Sequence, residues 1–81
     1  MLTPSVDEVS KWSPKDVITF LETKKEELFL DDDDINVIKR NKVAGRVFLD
    51  LSQEKFERYG LTVGPAKTIV RLIKAIKGEP E

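Results

Sequence analysis

The feature that most constrains the fold is an amphipathic helix near the end of the chain. Gly64 and Pro65 are residue types that open helices, and the apolar pattern after them continues to about Lys77 at 100° per residue. The apolar stripe consists of Ala66, Ile69, Leu72, Ile73 and Ile76. The opposite side carries Lys67, Arg71 and Lys74. The preceding chain must therefore supply a core for one face, and the other face meets water or an acidic partner.

The first strong helix signal in chain order follows Trp12. Ser13 is a favoured N-cap, Pro14 suits the first helical position, and Asp16 lies near the positive end of the helix dipole. Apolar spacing continues to about Lys24 and predicts a buried side made of Val17, Phe20 and Leu21. The residues before this signal are only weakly periodic, so we expect residues 1–9 to form a flexible lead-in.

A run of four aspartates, Asp31 to Asp34, follows a short apolar segment at residues 28–30, which we expect to act as a clamp in the connection between two helices. A helix-loop-helix calcium site starting at Asp31 would need glycine at its sixth position and glutamate at its twelfth. The sequence has Asn36 and Lys42 there, which argues against calcium. We instead expect one aspartate to cap a second helix and the others to occupy its first turn. This helix is predicted to end near Asn41.

Two shorter helices are predicted next. Residues 43–49 form one to two apolar turns, in which Gly45 would allow another backbone to approach closely. Ser52 is placed to cap a helix over residues 53–59, and Gly60 to end it in the left-handed conformation. Alternation of apolar and polar residues never persists as it would in a strand, so the predicted fold class is all-α.

The composition excludes most catalytic chemistry. The chain has no cysteine and no histidine, which removes disulfides, thiolate nucleophiles, imidazole bases and the usual zinc sites. In a small bundle the apolar residues are needed for the core, so few remain to line a pocket that could shift the pKa values of carboxylates. We therefore expect no enzyme activity, cofactor, metal or small-molecule substrate. The start lacks the pattern of a secretion signal, and no apolar run approaches the roughly 20 residues of a membrane span, so we expect a cytoplasmic or nuclear location.

Charge is distributed unevenly along the chain although the net charge is only −1. Residues 22–34 contain seven acids and two lysines, residues 39–46 contain four bases, and residues 67–77 contain four bases and no acid. Such a bipolar layout favours electrostatic pairing between copies or with partners over uniform attraction to a polyanion.

The order of several short patterns resembles a known family. They are Trp12-Ser13-x-x-Asp16-Val17-x-x-Phe20-Leu21, Ile35, Val43-x-Gly45-x-x-Phe48-Leu49-x-Leu51 and Tyr59-Gly60-Leu61-x-x-Gly64-Pro65-x-x-x-Ile69. Together they resemble a sterile alpha motif (SAM) domain over about residues 10–77. The resemblance implies a small five-helix bundle whose long C-terminal helix packs across the other four, with residues 78–81 as a flexible tail. Ala44 departs from the pattern, because many relatives carry a polar or acidic residue before the glycine.

The resemblance also implies two binding surfaces, since SAM domains most often join an acidic mid-loop surface to an end-helix surface. The mid-loop surface would comprise Asp32, Asp33, Asp34, Val47, Asp50 and Glu54. The end-helix surface would comprise Gly64, Ala66, Lys67, Arg71 and Lys74. The apolar centre of the contact would come from Val47, Val63 and Val70. The expected function is head-to-tail self-association, which can extend into open helical oligomers, or pairing with another SAM domain.

RNA binding is the alternative, because a few SAM domains bind RNA hairpins. The bases that would form such a surface are Lys39, Arg40, Lys42, Arg46, Lys67 and Arg71. The slightly acidic net charge and the aspartate run argue against it. Membrane binding is also disfavoured, because the apolar stripe of the last helix is needed for the core.

Overall fold

A computed structural model describes residues 4–78 of the chain. This part of the chain is helical throughout, with no strand, which confirms the predicted all-α class. The helices are α1 (Val6–Ser10), α2 (Pro14–Thr23), α3 (Asp32–Arg40), α4 (Gly45–Phe48), α5 (Gln53–Tyr59) and α6 (Val63–Lys77). None of them is long and apolar enough to cross a membrane.

The predicted caps of α2 and α3 are both present as capping boxes. The Ser13 hydroxyl accepts a hydrogen bond from the Asp16 N–H at 3.2 Å, and the Asp16 carboxylate accepts one from the Ser13 N–H at 3.1 Å. Asp31 and Asp34 make the same reciprocal pair at 2.9 and 3.1 Å. Each box satisfies two backbone donors that a helix start would otherwise leave without partners. The local sequence therefore determines where both helices begin.

Helix α1 is the element that the sequence pattern did not predict, so the described fold has six helices where five were expected. Val9 is its one buried residue and is completely inaccessible. A five-residue helix with a single buried position has too little periodicity to stand out, and its stability must come from tertiary packing. Residues 6–9, assigned to a lead-in from the sequence, are thus part of the packed fold.

Gly45 explains how α1 and α4 come together. Its N–H donates to the Trp12 carbonyl at 3.0 Å, and a Cβ atom at this position would lie 1.7 Å from the Val9 carbonyl oxygen. The close backbone approach predicted at Gly45 is confirmed. Helix α4 begins at Gly45 and not at residue 43, and Ala44, which precedes it, makes no side-chain capping bond.

The long helix α6 has a buried stripe formed by Ala66, Ile69, Ile73 and Ile76. Its buried side chains join a single core to which the other five helices and the loops between them contribute. Phe56 of α5 lies at the centre of an aromatic group, with ring centroids 6.4 Å from Phe48 and 6.3 Å from Tyr59. Both contacts have the edge-to-face geometry that aromatic pairs prefer.

The start of α6 corrects the predicted boundary. The helix begins at Val63 with Thr62 as N-cap, so Gly64 and Pro65 occupy its second and third positions. Proline fits there because the third N–H of a helix has no intrahelical acceptor to lose. The helix ends at Lys77 as predicted, with Gly78 in the left-handed C-cap conformation. Of the predicted tail, residues 79–81 lie outside the described part of the chain.

Candidate interaction surfaces

The end-helix surface is one continuous stripe along the exposed side of α6. Gly64, Lys67, Arg71 and Lys74 follow one another at spacings of three or four residues, which places them on one helix face. Gly64, Lys67 and Arg71 are exposed and Lys74 is half-buried. A Cβ added at Gly64 would meet no other atom within 4 Å, so the first turn of α6 is open to an approaching molecule.

Ala66 does not belong to this surface. It is 0% exposed and lies on the buried stripe with Ile69 and Ile73. The apolar stripe predicted for this helix already included Ala66, and adjacent helical residues point about 100° apart, so Ala66 and Lys67 do not share a face. The end-helix surface is therefore defined from here on as Gly64, Lys67, Arg71 and Lys74.

Half of the mid-loop candidates are engaged inside the fold. Asp32 forms an ion pair with Lys25, and this hydrogen-bonded contact raises the pKa of Lys25 above its ordinary value of 10.5. Asp34 is occupied in the capping box with Asp31, and partial burial raises the pKa of Asp34 above the ordinary 3.8. Glu54 pairs with Arg58 one turn later at 2.8 Å.

The other mid-loop candidates are free for contact. Asp33 and Asp50 are exposed, and Val47 is 47% exposed. They come from three different places, the first turn of α3, the short helix α4 and the turn after α4. The mid-loop surface is thus assembled from separate segments, whereas the end-helix surface lies on a single helix.

The fold leaves the bases of the end-helix surface and two acids of the mid-loop surface, Asp33 and Asp50, outside its ion pairs. Among the described residues, ion pairs join Lys24 to Glu27, Lys25 to Asp32 and Arg58 to Glu54, and none of them uses Lys67, Arg71 or Lys74. Helix α6 itself contains no acid. Bases on one surface and acids on another are consequently both available to a second molecule.

The predicted apolar centre needs revision at one position. Val63 is 57% exposed at the start of α6 and remains a candidate, as does Val47. Val70 is half-buried and packs against the core, so little of its side chain is available.

The sequence pattern misplaced Phe29, which has the highest exposed fraction of the large apolar side chains in residues 4–78. It was assigned to a clamp with its neighbours, and Leu30 is indeed buried, but Phe29 is 90% exposed. The reason is the backbone. The Leu30 N–H donates to the Lys25 carbonyl at 2.9 Å and the Phe29 N–H to the Glu26 carbonyl at 3.3 Å, the two bonds of a Schellman motif. In this turn the Phe29 side chain points into solvent, while Leu30 packs in the core.

A groove between α2 and α3 has a volume of about 390 Å³. Its lining includes the apolar residues Ile18 and Val43 and the charged residues Lys15, Glu22 and Lys39. No group of three or more acidic side chains in residues 4–78 is arranged to hold a metal ion. Nothing about the groove gathers groups for acid-base or nucleophilic chemistry.

The described residues thus form an all-helical bundle with two open charged surfaces. The family is shown by sequence comparison, since the model of the family described as "SAM-like domain" matches residues 1–75. The chain belongs to this family of SAM-like domains, whose members are generally non-catalytic interaction modules. No curated protein and no solved structure gives a significant match to the chain.

Proposed function

We propose that this SAM-like domain self-associates head to tail, with the mid-loop surface of one copy against the end-helix surface of the next. The observation that carries the proposal is the pair of unneutralised charge sets. Lys67 and Arg71 are exposed on a helix that has no acid, while Asp33 and Asp50 are exposed on the other surface. A second copy supplies the counter-charges that each surface lacks.

Exposed ion pairs are weak, so geometry matters more than their number. A solvent-exposed pair contributes about 0 to 1 kcal/mol, and two long side chains lose rotamer freedom when they form one. Lys67 and Arg71 lie four residues apart on one helix face, so both can meet carboxylates of one partner. Val47 and Val63 supply exposed apolar area next to the charged groups. Measurable affinity requires both contributions together.

The first turn of α6 adds a third contribution. The side chain of Thr62 makes no capping bond, in contrast to Ser5, Ser13, Asp31 and Ser52 at other helix starts. The N–H groups of the first turn and the helix dipole therefore favour a negative group from outside. The open space around Gly64 leaves room for it.

The symmetry of the contact decides the kind of assembly. The two surfaces are different patches of one chain, so a copy that binds through one surface still has the other free, and a dimer presents one free surface of each kind. Contacts of this type produce rings when the rotation closes and open helical filaments when it does not. Pairing with a different SAM domain would use one of these surfaces for a single contact, and the assembly would not extend further.

The proposal is tested by sedimentation velocity over a range of protein concentrations. Wild-type protein is expected to grow in mass with concentration, and less so at high salt because salt screens exposed charges. A variant with Lys67→Glu and Arg71→Glu is expected to remain monomeric. A matched control with Lys11→Glu and Lys15→Glu changes net charge equally, has the same four-residue spacing, lies outside both surfaces and should assemble like the wild type.

Two results would count against self-association. One is a wild-type protein that stays monomeric at the highest concentration tested. The other is a control variant that loses assembly to the same degree as the end-helix variant, because the effect would then follow net charge and not a surface.

RNA binding finds less support. Lys39 and Arg40 are exposed in the last turn of α3, but the same nine-residue helix begins with three aspartates. At 1.5 Å per residue the two ends are roughly 12 Å apart, compared with a Debye length of about 8 Å at physiological salt, so the acids oppose a polyanion in part. A hairpin RNA titrated at two salt concentrations should give no shift at micromolar protein.

A further inference from the structure

We infer that Phe29 is the apolar contact at the centre of the self-association interface, and that it inserts against Val63, beside the end-helix surface, on a second copy. The inference rests on the proposed head-to-tail function and names the residue on which its affinity depends. Phe29 was not among the candidates that sequence patterns supplied for either surface.

Phe29 is held outward by a conformation that its own side chain does not favour. Its φ angle is 56°, in the left-handed region. The same turn occurs at the end of α5, where the Leu61 and Gly60 N–H groups donate to the Phe56 and Glu57 carbonyls, and there the left-handed residue is glycine with φ 119°. Glycine is the usual residue at this position, and phenylalanine is disfavoured there. Among the described residues, Lys42 is also non-glycine with a left-handed φ, 51°, so what distinguishes Phe29 is the combination of this strain with an exposed aromatic side chain.

The Phe29 side chain is more exposed than any other large apolar side chain of the described residues. It is 90% exposed, compared with 57% for Val63, 47% for Val47 and 40% for Val6 among the exposed large apolar residues of the described chain. An aromatic side chain can bury roughly 150–250 Å² when it is covered, and aromatic residues are enriched at the centres of interfaces. The exposed valines alone offer much less apolar area.

Charge complementarity selects the partner surface. Acids lie on both sides of Phe29 in the sequence. Glu27 and Asp32 are paired with Lys24 and Lys25, whereas Glu26 and Asp33 are exposed and take part in none of the ion pairs of the described residues. The Lys25 to Asp32 ion pair also ties this turn to the first turn of α3, which belongs to the mid-loop surface. An aromatic ring close in sequence to these free acids fits a basic surface with exposed apolar area, which is what Val63, Lys67 and Arg71 provide on α6. A positive side chain can also stack on the ring face.

The groove between α2 and α3 is the competing receptor, but its rim is less suited. Lys15 and Lys39 are accompanied there by Glu22, which would face the acids around Phe29. Like charges brought together across an interface select against a partner. The end-helix surface has no acid in its helix and is therefore the better match.

The test uses Phe29→Gly in the full chain, because glycine suits the left-handed position. The melting temperature is expected to stay at or above the wild-type value, while self-association weakens about tenfold or more. Val6→Ala is the control, since it also removes exposed apolar area but lies outside both surfaces, and it should leave association unchanged. Methyl NMR spectra of the wild type should show concentration-dependent shifts at Val63 that disappear in Phe29→Gly.

The possible failures are distinguishable. If the wild type is monomeric, the head-to-tail function fails and this inference fails with it. If the wild type assembles, the Lys67 and Arg71 charge reversal abolishes assembly and Phe29→Gly has no effect, only the role of Phe29 is overturned. Concentration-dependent shifts at Ile18 and Val43 in place of Val63 would place the ring in the α2–α3 groove and would also overturn the inference.

Discussion

At the scale of single residues, glycines and caps determine where this chain turns and how closely its helices approach. Gly45 and Gly64 illustrate two opposite cases. Gly45 faces the backbone of α1, with no room for a methyl group, whereas Gly64 faces open space. The same residue type is therefore a packing requirement at one position and a surface feature at the other.

Gly45→Ala is predicted to destabilise the domain by at least about 2 kcal/mol, in the upper range of overpacking effects. The added Cβ would lie 1.7 Å from the Val9 carbonyl oxygen, and that oxygen belongs to backbone that cannot move without displacing α1. Gly64→Ala is the control and should stabilise by a few tenths to about 1 kcal/mol, because alanine is favoured over glycine in a helix. Urea unfolding measures both. Equal effects of the two variants would contradict the close approach.

At the scale of elements, the sequence predicted helices wherever a local signal fixed them. Local signals of this kind are the helix caps at Ser13 and Asp31 and the left-handed C-cap at Gly60. Each involves residues only a few positions apart, so it can be recognised from the sequence alone. Helix α1 has a cap at Ser5 but only one buried residue, and its stability depends on contacts with distant parts of the chain. Local patterns contain no information about such contacts.

The candidate surfaces were predictable to a lesser degree than the helices. The stripe of Lys67, Arg71 and Lys74 follows from helical spacing and was predicted correctly as a shared face. Ala66 was expected both on the buried stripe and on the end-helix surface, and its burial confirms the first expectation and excludes the second. The exposure of Phe29 was missed because it depends on a left-handed turn between α2 and α3 that no glycine marks in the sequence.

Val9→Ala tests whether α1 belongs to the cooperative fold. Val9 is fully buried, so removing two methyl groups should cost about 2 kcal/mol of unfolding free energy. Val6→Ala, in the same helix but 40% exposed, should change stability by less than about 0.5 kcal/mol. Thermal or urea unfolding of the pair gives the comparison. If both variants match the wild type, α1 does not contribute to the folded core.

At the scale of the whole molecule, the chain is a small bundle whose apolar residues are almost fully used for its own core. What remains outside is a set of bases on α6, a set of acids around the starts of α3 and α5, and a few exposed apolar side chains. The assembly that we propose uses the bases on α6, the acids Asp33 and Asp50, and Phe29 with Val63, and it requires no pocket.

The most direct measurement of head-to-tail association is a mixing experiment with two variants, each lacking a different surface. One variant carries Lys67→Glu with Arg71→Glu, and the other carries Asp33→Asn with Asp50→Asn. Neutral replacements on the second variant prevent a new attraction to the reversed charges of the first. In the mixture, only the intact mid-loop surface of the first variant and the intact end-helix surface of the second can combine.

Sedimentation equilibrium is expected to show each variant alone as a monomer and the mixture as a 1:1 dimer, twice the 9.2 kDa mass of one chain, with no larger species. One intact contact per pair gives a dimer that cannot extend. If wild-type protein assembles but the mixture remains monomeric, the two surfaces do not bind each other and the head-to-tail account is wrong.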